Sequence, residues 1–149
     1  MKLVIASNNQ HKIHEIKLIL SDYFDEIVSM GEAGCSDDID EYGTTFEENS
    51  LIKAQYIADK LGCASLADDS GLEVLALNGE PGVYSARYAG THGDDEANND
   101  KLLKVMTDVE EKERGAQFVS VVTLVRQGKD ALSSRGVCKG EIIRERRGN

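Results

Sequence analysis

Two adjacent aspartates, Asp68 and Asp69, are the residues whose types and spacing most readily support chemistry. They follow the apolar stretch "CASLA" and are followed directly by Ser70. A pair of carboxylates at the end of a strand is a common way to hold Mg²⁺, which prefers oxygen ligands. One carboxylate can then bind the metal while the other orients or deprotonates water. Aspartate is also common in turns, so the pair alone leaves a plain acidic turn or a helix cap as the alternative.

A polar turn from Ser7 to Lys12 lies where a predicted strand meets a predicted helix. The stretch "KLVIA" is typical of a short buried strand, and Ile13, Ile16 and Leu20 then follow at helical spacing. Backbone N–H groups at a helix start, together with a lysine, suit a phosphate group. No Walker glycine pattern accompanies them, so a capped helix with a solvated lysine is the alternative interpretation.

A further acid and a further lysine accompany the helix predicted over residues 44–62. Glu41 lies in the acidic loop just before this helix and could supply a third carboxylate. Lys53 lies two turns into the helix and could face a phosphate or pair with Asp69. The alternative is a solvated acidic run and a surface lysine, because these residue types are mostly exposed.

The elements that must position these residues alternate between strand and helix. A late hairpin around Gly128 adds strands at the end of the chain, so we expect one α/β domain over residues 1–149 with a mixed sheet. We predict strands at 2–6, 25–30, 63–67, 72–77, 116–125 and 131–143, and helices at 12–20, 44–62 and 94–109.

The charge balance limits the partners of the chain. Its 17 basic and 27 acidic residues give a net charge of −10, which argues against binding to a nucleic-acid duplex through phosphate contacts. A small polyphosphate ligand is still compatible if a divalent cation and a few lysines reverse the sign locally. No apolar run is long enough to span a bilayer, and "MKLVIA" turns polar at Ser7, unlike a signal peptide. A cytoplasmic location without membrane contact is the default expectation.

Taken together, these residues form a coherent set. Two lysines, a helix N-terminus and three carboxylates are the parts that a Mg²⁺–polyphosphate complex requires. In such a site a carboxylate activates water for in-line attack on phosphorus, and the lysines balance the remaining charge.

Three stretches of the sequence resemble signature blocks of one protein family. The stretches "SNNQHKIHEI", "TFEENSLIKA" and "ADDSGLEVLALNGEPGVYSARYAG" are similar to blocks of the Ham1/RdgB family of inosine-triphosphate pyrophosphatases and occur in the family order. The similarity runs from residue 1 to about residue 148. It implies a two-lobed α/β fold with a mixed sheet flanked by helices, a cleft between the lobes, and a cytosolic homodimer. The implied reaction is Mg²⁺-dependent hydrolysis of non-standard purine nucleoside triphosphates, such as dITP and XTP, to the monophosphate and pyrophosphate.

The resemblance also assigns roles to individual residues. It implies that Glu41 and Asp69 bind the metal, that Asp69 accepts the proton with Asp68 beside it, and that Lys53 is the lysine of the central helix. The second position of the first loop, Asn8, is often glycine in the family. The residues that match substrate contacts are Ser7, Asn8, Asn9, Gln10, His11, Lys12 and Ser70.

One departure from the family concerns the end of the sequence. After "ERRGN" the family continues with a Gly-Phe-Gly-Tyr-Asp-Pro block and a Ser-His-Arg block, which contact the base, and neither occurs here. The domain is therefore expected to be a C-terminally truncated form. This leaves two alternatives to the purine-directed hydrolase: a weakly active or inactive nucleotide-binding or self-associating fragment, and a related hydrolase that prefers pyrimidine nucleotides.

Overall fold

A five-stranded mixed sheet and three α-helices make up the described part of the chain. The computed structural model describes residues 1–7, 9–37, 39, 42–87 and 95–142. The strands are β1 (Lys2–Ile5), β2 (Glu26–Ser29), β3 (Ala64–Val74), β4 (Gly115–Val125) and β5 (Leu132–Glu141), in the sheet order β2-β1-β3-β4-β5. The helices are α1 (Gln10–Leu20), α2 (Phe46–Leu61) and α3 (Asp95–Val105). The predicted α/β class with a mixed sheet is confirmed.

Strand β1 is parallel to both of its neighbours, and its end defines the edge where the site begins. Leu3 pairs with Ala64 and Ile5 with Leu66 of β3. Because β1 ends at Ile5, the rest of β3 continues past the carboxyl end of β1, next to the turn that leads into α1. Ligands of open α/β sheets bind outside the carboxyl ends of strands, so this is the edge at which chemistry is expected.

The chain forms two compact units. Unit 1 contains Met1–Asp69 and Val121–Ser134, and unit 2 contains Ser70–Ser120 and Arg135–Asn149. The first apolar cluster of unit 1 joins α2 to the sheet and includes Val4, Ala54, Ile57, Ala58, Ala67 and Val125. Its second cluster joins α1 to the sheet and includes Leu3, Ile16, Leu20, Ala64 and Leu66. The core of unit 2 is built from Val74, Leu102, Met106 and Ala116.

Helices α1 and α2 each begin at a residue whose side chain caps the helix. Asn9 caps α1, because its side-chain oxygen accepts hydrogen bonds from the backbone N–H groups of His11 and Lys12. Thr45 caps α2 by accepting from the N–H of Glu48, and α2 ends at Gly62 with φ of 65°. The positions of both helices in the chain are therefore set by local side-chain chemistry as well as by packing.

The predicted strands on either side of the aspartates are one strand, and this prediction of a break was wrong. β3 runs without interruption from Ala64 to Val74 and includes both aspartates. The strand then stops earlier than predicted, because Leu75–Leu77 forms a 3-10 turn that leads into the left-handed Asn78 and Gly79. The turn in this part of the chain is thus ten residues further along than the aspartate pair.

Helix α3 ends at Val105, four residues before the predicted end. The carbonyl groups that follow this end of the helix are bound by Arg114, a residue that is 1% exposed. Its Nη1 donates to the carbonyl oxygens of Met106 at 2.6 Å and Val109 at 3.2 Å, and its Nε donates to the carbonyl of Ile142 at 2.6 Å. A cation at a helix C-terminus is favourable, so this arginine holds the end of α3 against the segment that follows β5.

No helix in the described residues is long and apolar enough to cross a membrane.

Candidate active site

Asp68 and Asp69 lie on opposite faces of the sheet. Successive side chains of a strand point to opposite faces, and the two apolar clusters of unit 1 identify those faces. Leu66 packs with residues of α1, whereas Ala67 packs with residues of α2. Asp68 therefore faces α1 and Asp69 faces α2. The pair is two separate carboxylates, each directed to a different helix.

Asp68 forms an ion pair with Lys12 of α1. The Lys12 Nζ donates to Asp68 Oδ2 at 2.7 Å, with side-chain exposures of 36% for the lysine and 18% for the aspartate. The structure therefore brings together the two ends of the predicted phosphate site, which are separated by 56 positions in the sequence. A carboxylate that holds the ammonium group in one orientation reduces the freedom that the lysine would lose on binding an anion.

The turn before α1 is ordered by its own side chains. Ser7 Oγ accepts from the N–H of Asn9 at 3.1 Å, and Asn9 Oδ1 accepts hydrogen bonds from the backbone N–H groups of His11 and Lys12. Gln10 and His11 are exposed. With the cap in place, the groups of this turn best suited to an incoming phosphate are the Lys12 ammonium and the exposed side chains. Asn8, also predicted to contact substrate, lies outside the described residues.

Asp69 is a buried carboxylate. Its side chain belongs to a residue that is 9% exposed, and its Oδ2 atom is closed to solvent. Removing a carboxylate from water is costly unless a cation or hydrogen-bond donors balance its charge. Ser70, the predicted substrate contact, is the next residue of β3 and is half-buried. A buried acid of this kind suits a role as metal ligand or proton acceptor.

The chemistry of these donors fits a magnesium ion. Among the described residues there is no group of three His, Cys, Asp or Glu side chains that could hold a metal. Magnesium in phosphate-handling sites, however, uses one or two carboxylates and completes its shell with water and phosphate oxygens. Asp69 supplies one hard oxygen ligand. Glu41, the other predicted ligand, lies outside the described residues.

One face of α2 carries four polar residues at helical spacing: Asn49, Lys53, Tyr56 and Lys60. We refer to these four residues as the α2 stripe. Asn49 Oδ1 accepts from the backbone N–H of Gly43 at 2.8 Å. Tyr56 and Lys60 both donate to the carboxylate of Asp37. Lys53, the predicted phosphate lysine, is half-buried and lies between these two attachments.

The contact at Asp37 changes the ionisation of its partners. The hydrogen bond from Lys60, followed by that from Tyr56, lowers the pKa of Asp37. The same contact raises the pKa of Lys60 and of Tyr56. Because the pKa of Asp37 is lowered in the folded chain, the contribution of this contact is present above the ordinary carboxyl pKa and is lost as the pH falls below it. The attachment is therefore intact at neutral pH.

Sequence reasoning missed the roles of Asp37, Gly43 and Asn49. The signal for Asn49 is its position inside a helix, where asparagine is unfavourable unless its side chain bonds the backbone. Gly43 has no such signal, because its need for a small residue comes from contact with α2. A Cβ there would lie 2.7 Å from Asn49 Oδ1. Asp37 is one acid among several in "SDDIDEYG", and only the fold shows which of them meets Tyr56 and Lys60.

The sequence is similar to known proteins along almost its whole length. The model of the Ham1 family matches residues 3–149. A dITP/XTP pyrophosphatase of Clostridium perfringens is 46% identical over 154 residues, covering 99% of this chain and 76% of that protein. A dITP/XTP pyrophosphatase of Flavobacterium johnsoniae is 47% identical over 148 residues, covering 99% of this chain and 75% of that protein. The chain thus spans about three quarters of the length of these relatives.

Solved structures give the same result. The Staphylococcus aureus Ham1 protein superposes with a TM-score of 0.90 at 44% identity, covering 99% of this chain and 75% of that one. A nucleoside-triphosphatase / dITP/XTP pyrophosphatase from Mycobacterium abscessus superposes with a TM-score of 0.88 at 42% identity, covering 100% of this chain and 78% of that one. The resemblance read from the three sequence blocks is confirmed by both kinds of comparison. The chain belongs to the Ham1 family.

Proposed function

We propose that this chain hydrolyses non-standard purine nucleoside triphosphates, such as ITP, dITP and XTP, to the monophosphate and pyrophosphate. The observation that carries the proposal is the match to the Ham1 family over residues 3–149, with relatives named dITP/XTP pyrophosphatase at 46% and 47% identity. The buried Asp69 and the Lys12–Asp68 ion pair at the same edge of the sheet supply chemistry of the kind that this reaction needs.

In the proposed mechanism each of the residues of unit 1, and Ser70 next to them in the sequence, has its own role. The Lys12 ammonium and the side chains of residues 7–11 bind the phosphate chain, and Lys53 balances charge from α2. Asp69 accepts the proton of the water that attacks the α-phosphorus, and pyrophosphate leaves on the opposite side. Asp68 holds Lys12 in place, and Ser70 contacts the substrate.

We propose Mg²⁺ as the cofactor, held by Asp69 and Glu41. When bound, it would supply positive charge that neutralises the phosphate oxygens. Lys12 and Lys53 would complete that neutralisation, because four negative charges on a nucleoside triphosphate exceed what one divalent ion balances.

Three finer expectations remain predictions. We propose that the chain works in the cytoplasm, that it forms a homodimer, and that it does not bind a nucleic-acid duplex, since its net charge is −10. The alternative of an inactive nucleotide-binding or self-associating fragment is not favoured, because all three resembling blocks lie within the residues that match the family. A preference for pyrimidine nucleotides is tested together with the main proposal below.

The proposal is tested by incubating the purified chain with ITP, dUTP or ATP in the presence of Mg²⁺ and separating the products. We expect inosine monophosphate and pyrophosphate in equal amounts, with ITP consumed faster than dUTP or ATP. A parallel sample with a chelator in place of Mg²⁺ should show no turnover. Release of single phosphate, or no turnover of ITP, would refute the proposed reaction, and faster turnover of dUTP would favour the pyrimidine-directed alternative.

Replacing Lys12 by methionine should weaken substrate binding more than it weakens the fold. A partly exposed ion pair contributes little to stability, whereas a charge-assisted contact to phosphate is strong. We expect the KM for ITP to rise by about tenfold or more, the effect of losing roughly 1.5–3 kcal/mol of binding. Steady-state kinetics and thermal unfolding measure the two effects. Lys17→Met in the same helix is the matched control, and an equal change in KM in both variants would argue against a phosphate contact by Lys12.

A further inference from the structure

Strand β5 forms one edge of the sheet, and no strand of the described residues pairs with its outer side. It is last in the order β2-β1-β3-β4-β5, and all ten of its residues are exposed. We propose that residues 135–141 pair with the same residues of a second copy of the chain, antiparallel and about a two-fold axis at Cys138. This inference rests on the homodimer that is part of the proposed function, and it adds the surface that forms it.

The pairing of β5 with β4 shows which backbone groups of β5 point outward. The N–H of Ile142 donates to the carbonyl of Arg114 at 2.8 Å, so these two residues are opposite each other. Counting back along β5 and forward along β4 brings Gly136 opposite Ser120, and a Cβ on Gly136 would lie 3.9 Å from the Ser120 carbonyl oxygen. The direction of the backbone groups alternates along a strand. The even-numbered residues therefore bond to β4, and the N–H and C=O groups of the odd-numbered residues point to the open edge.

The charged side chains of β5 limit what can pair with this edge. An open edge presents a row of N–H and C=O groups that can bind another extended segment, and charges on the strand are one protection against it. Residues 135–141 carry Arg135, Lys139 and Glu141. Like charges directly opposite each other destabilise a pair of strands, whereas opposite charges stabilise it. The order of these charges therefore selects the strand that can be added.

The sequence "RGVCKGE" of residues 135–141 is symmetric about its central cysteine. Arg135 lies as far before Cys138 as Glu141 lies after it, and a glycine lies between each of them and the centre. An antiparallel copy centred on Cys138 thus places each arginine opposite a glutamate and each glycine opposite a glycine. A two-fold interface requires a self-complementary surface of this kind, so the partner that fits is a second copy.

Charge disfavours the other registers that would pair the outward groups. Moving the axis one residue towards the start of β5 brings Arg135 opposite Lys139, and moving it one residue the other way brings Lys139 opposite itself. No axis still nearer the start brings opposite charges together, and an axis two residues after Cys138 confines the pairing to residues 139–141. The axis at Cys138 joins opposite charges and pairs the whole of residues 135–141.

One face of the sheet at the axis is apolar. The register of β4 and β5 places Phe118 opposite Cys138, so the two side chains project from the same face. Phe118 is 49% exposed and Cys138 is exposed. Gly136 and Gly140 have no side chains and leave this face of β5 open on both sides of the cysteine. Pairing two copies joins their Phe118 and Cys138 side chains into one row, which removes apolar surface from water.

The existing contact of Arg135 is compatible with the proposed pairing. Within unit 2 its Nη2 lies 3.9 Å from Glu73 Oε2, and its side chain is 41% exposed. A contact of this distance and exposure contributes little to stability. A guanidinium group carries several N–H donors, so Arg135 can keep Glu73 while it meets Glu141 of the second copy.

The first experiment measures the monomer–dimer equilibrium of the full chain by sedimentation equilibrium under reducing conditions. Arg135→Glu and Glu141→Arg each place like charges opposite each other at both symmetry-related positions. We expect each substitution to raise the dissociation constant of the dimer by about tenfold or more, and the two combined to restore it to within about threefold of wild type. The two single variants change the net charge in opposite directions, so a general charge effect cannot weaken both.

Lys139→Glu is the matched control, because it changes the net charge as Arg135→Glu does but is opposite Val137 in the proposed register. We expect it to change the dissociation constant by less than about threefold. All substituted residues are exposed, and thermal unfolding of each variant checks the fold. A folded dimer that neither single charge reversal weakens would overturn the inference.

The second experiment determines the register by disulfide cross-linking. Residue 138 bonds inward to β4, so its pair across the axis is not hydrogen-bonded, and the two Cα atoms are expected about 4.5 Å apart, a distance that a disulfide spans. Oxidation by copper phenanthroline should cross-link the wild-type chain, and Cys138→Ser should prevent it. Cys35 is buried, and burial raises the pKa of the Cys63 thiol, which lowers its reactivity.

Cysteines at the two glycine positions provide controls for the register. In the Cys138→Ser background, Gly136→Cys or Gly140→Cys alone should give no cross-link, because the two copies of each residue would lie about 13 Å apart. The variant with both substitutions should cross-link, since residue 136 of one copy is opposite residue 140 of the other. A Cβ at either position meets no atom closer than 3.9 Å. Cross-linking of Gly136→Cys alone would show a different register and overturn the inference.

The outcomes separate this surface from the rest of the proposed function. A dimer that does not cross-link through Cys138 would overturn the surface and leave the homodimer in place. A wild-type chain that stays monomeric would overturn both. Failure to hydrolyse ITP would instead overturn the proposed reaction, which the sedimentation and cross-linking experiments do not measure.

Discussion

Asp69→Asn is expected to lower kcat for ITP by about 10²–10⁴-fold, the range associated with losing a general base. Asparagine has the same shape as aspartate but can neither accept the proton of the attacking water nor balance a cation. The residue is 9% exposed, so the substitution changes the chemistry of a nearly closed position without creating a cavity. The measurement is the initial rate of pyrophosphate release at saturating ITP and Mg²⁺.

Asp68→Asn is the control variant for the effect of Asp69→Asn on kcat. Asp68 faces the other side of the sheet and pairs with Lys12, so its loss should act mainly on KM through the freed lysine. We expect the kcat of Asp68→Asn to fall much less than that of Asp69→Asn. Equal losses of kcat in the two variants would contradict the separate roles that the two faces of β3 imply.

Arg114→Met is expected to lower the free energy of unfolding by about 3–5 kcal/mol, because each buried carbonyl group that loses its donor costs about 1–3 kcal/mol. Methionine has a similar length but leaves the carbonyl oxygens of Met106, Val109 and Ile142 without the donors that Arg114 provides. The backbone N–H of Ile142 also donates to the Arg114 carbonyl at 2.8 Å, so the end of β5 is expected to loosen. Equilibrium unfolding in urea measures the change.

The control for this prediction is an arginine of the same unit at the surface. Arg135 lies 3.9 Å from Glu73, and its side chain is 41% exposed. Exposed ion pairs of this kind contribute about 0–1 kcal/mol, so Arg135→Met should change stability only slightly. A loss of less than about 1 kcal/mol in Arg114→Met would show that the buried guanidinium is not what fixes this end of the unit.

The parts of the fold that depend on local chemistry could be predicted from the sequence. The Thr45 cap, the Gly62 end of α2 and the polar turn before α1 are determined by residues within a few positions of each other. The α/β class followed from the alternation of strand and helix patterns. Family membership could also be inferred, because the three resembling blocks are long and occur in a defined order.

The parts that depend on distant residues could not be predicted in the same way. The division of Asp68 and Asp69 between two faces required knowing that β3 continues through them, whereas a charged pair in isolation is equally compatible with a turn. Two sets of hydrogen bonds depend on residues brought together by folding. Arg114 donates to the end of α3, and Tyr56 and Lys60 donate to Asp37. No local sequence pattern indicates which distant residues will form these hydrogen bonds.

Because β3 is uninterrupted, the face on which each aspartate lies depends on whether the number of residues between Ala64 and that aspartate is odd or even. Ala64 is held opposite Leu3, and from there alternate residues face α1, so Asp68 does so as well. Adding or removing one residue between Ala64 and Asp68 would exchange the helices that the two carboxylates face, because a shift of one residue moves every later side chain of the strand to the opposite face of the sheet. The segment "SLA" between them can therefore vary in side chains far more freely than in length, and an indel of a single residue there should abolish activity even if the chain still folds.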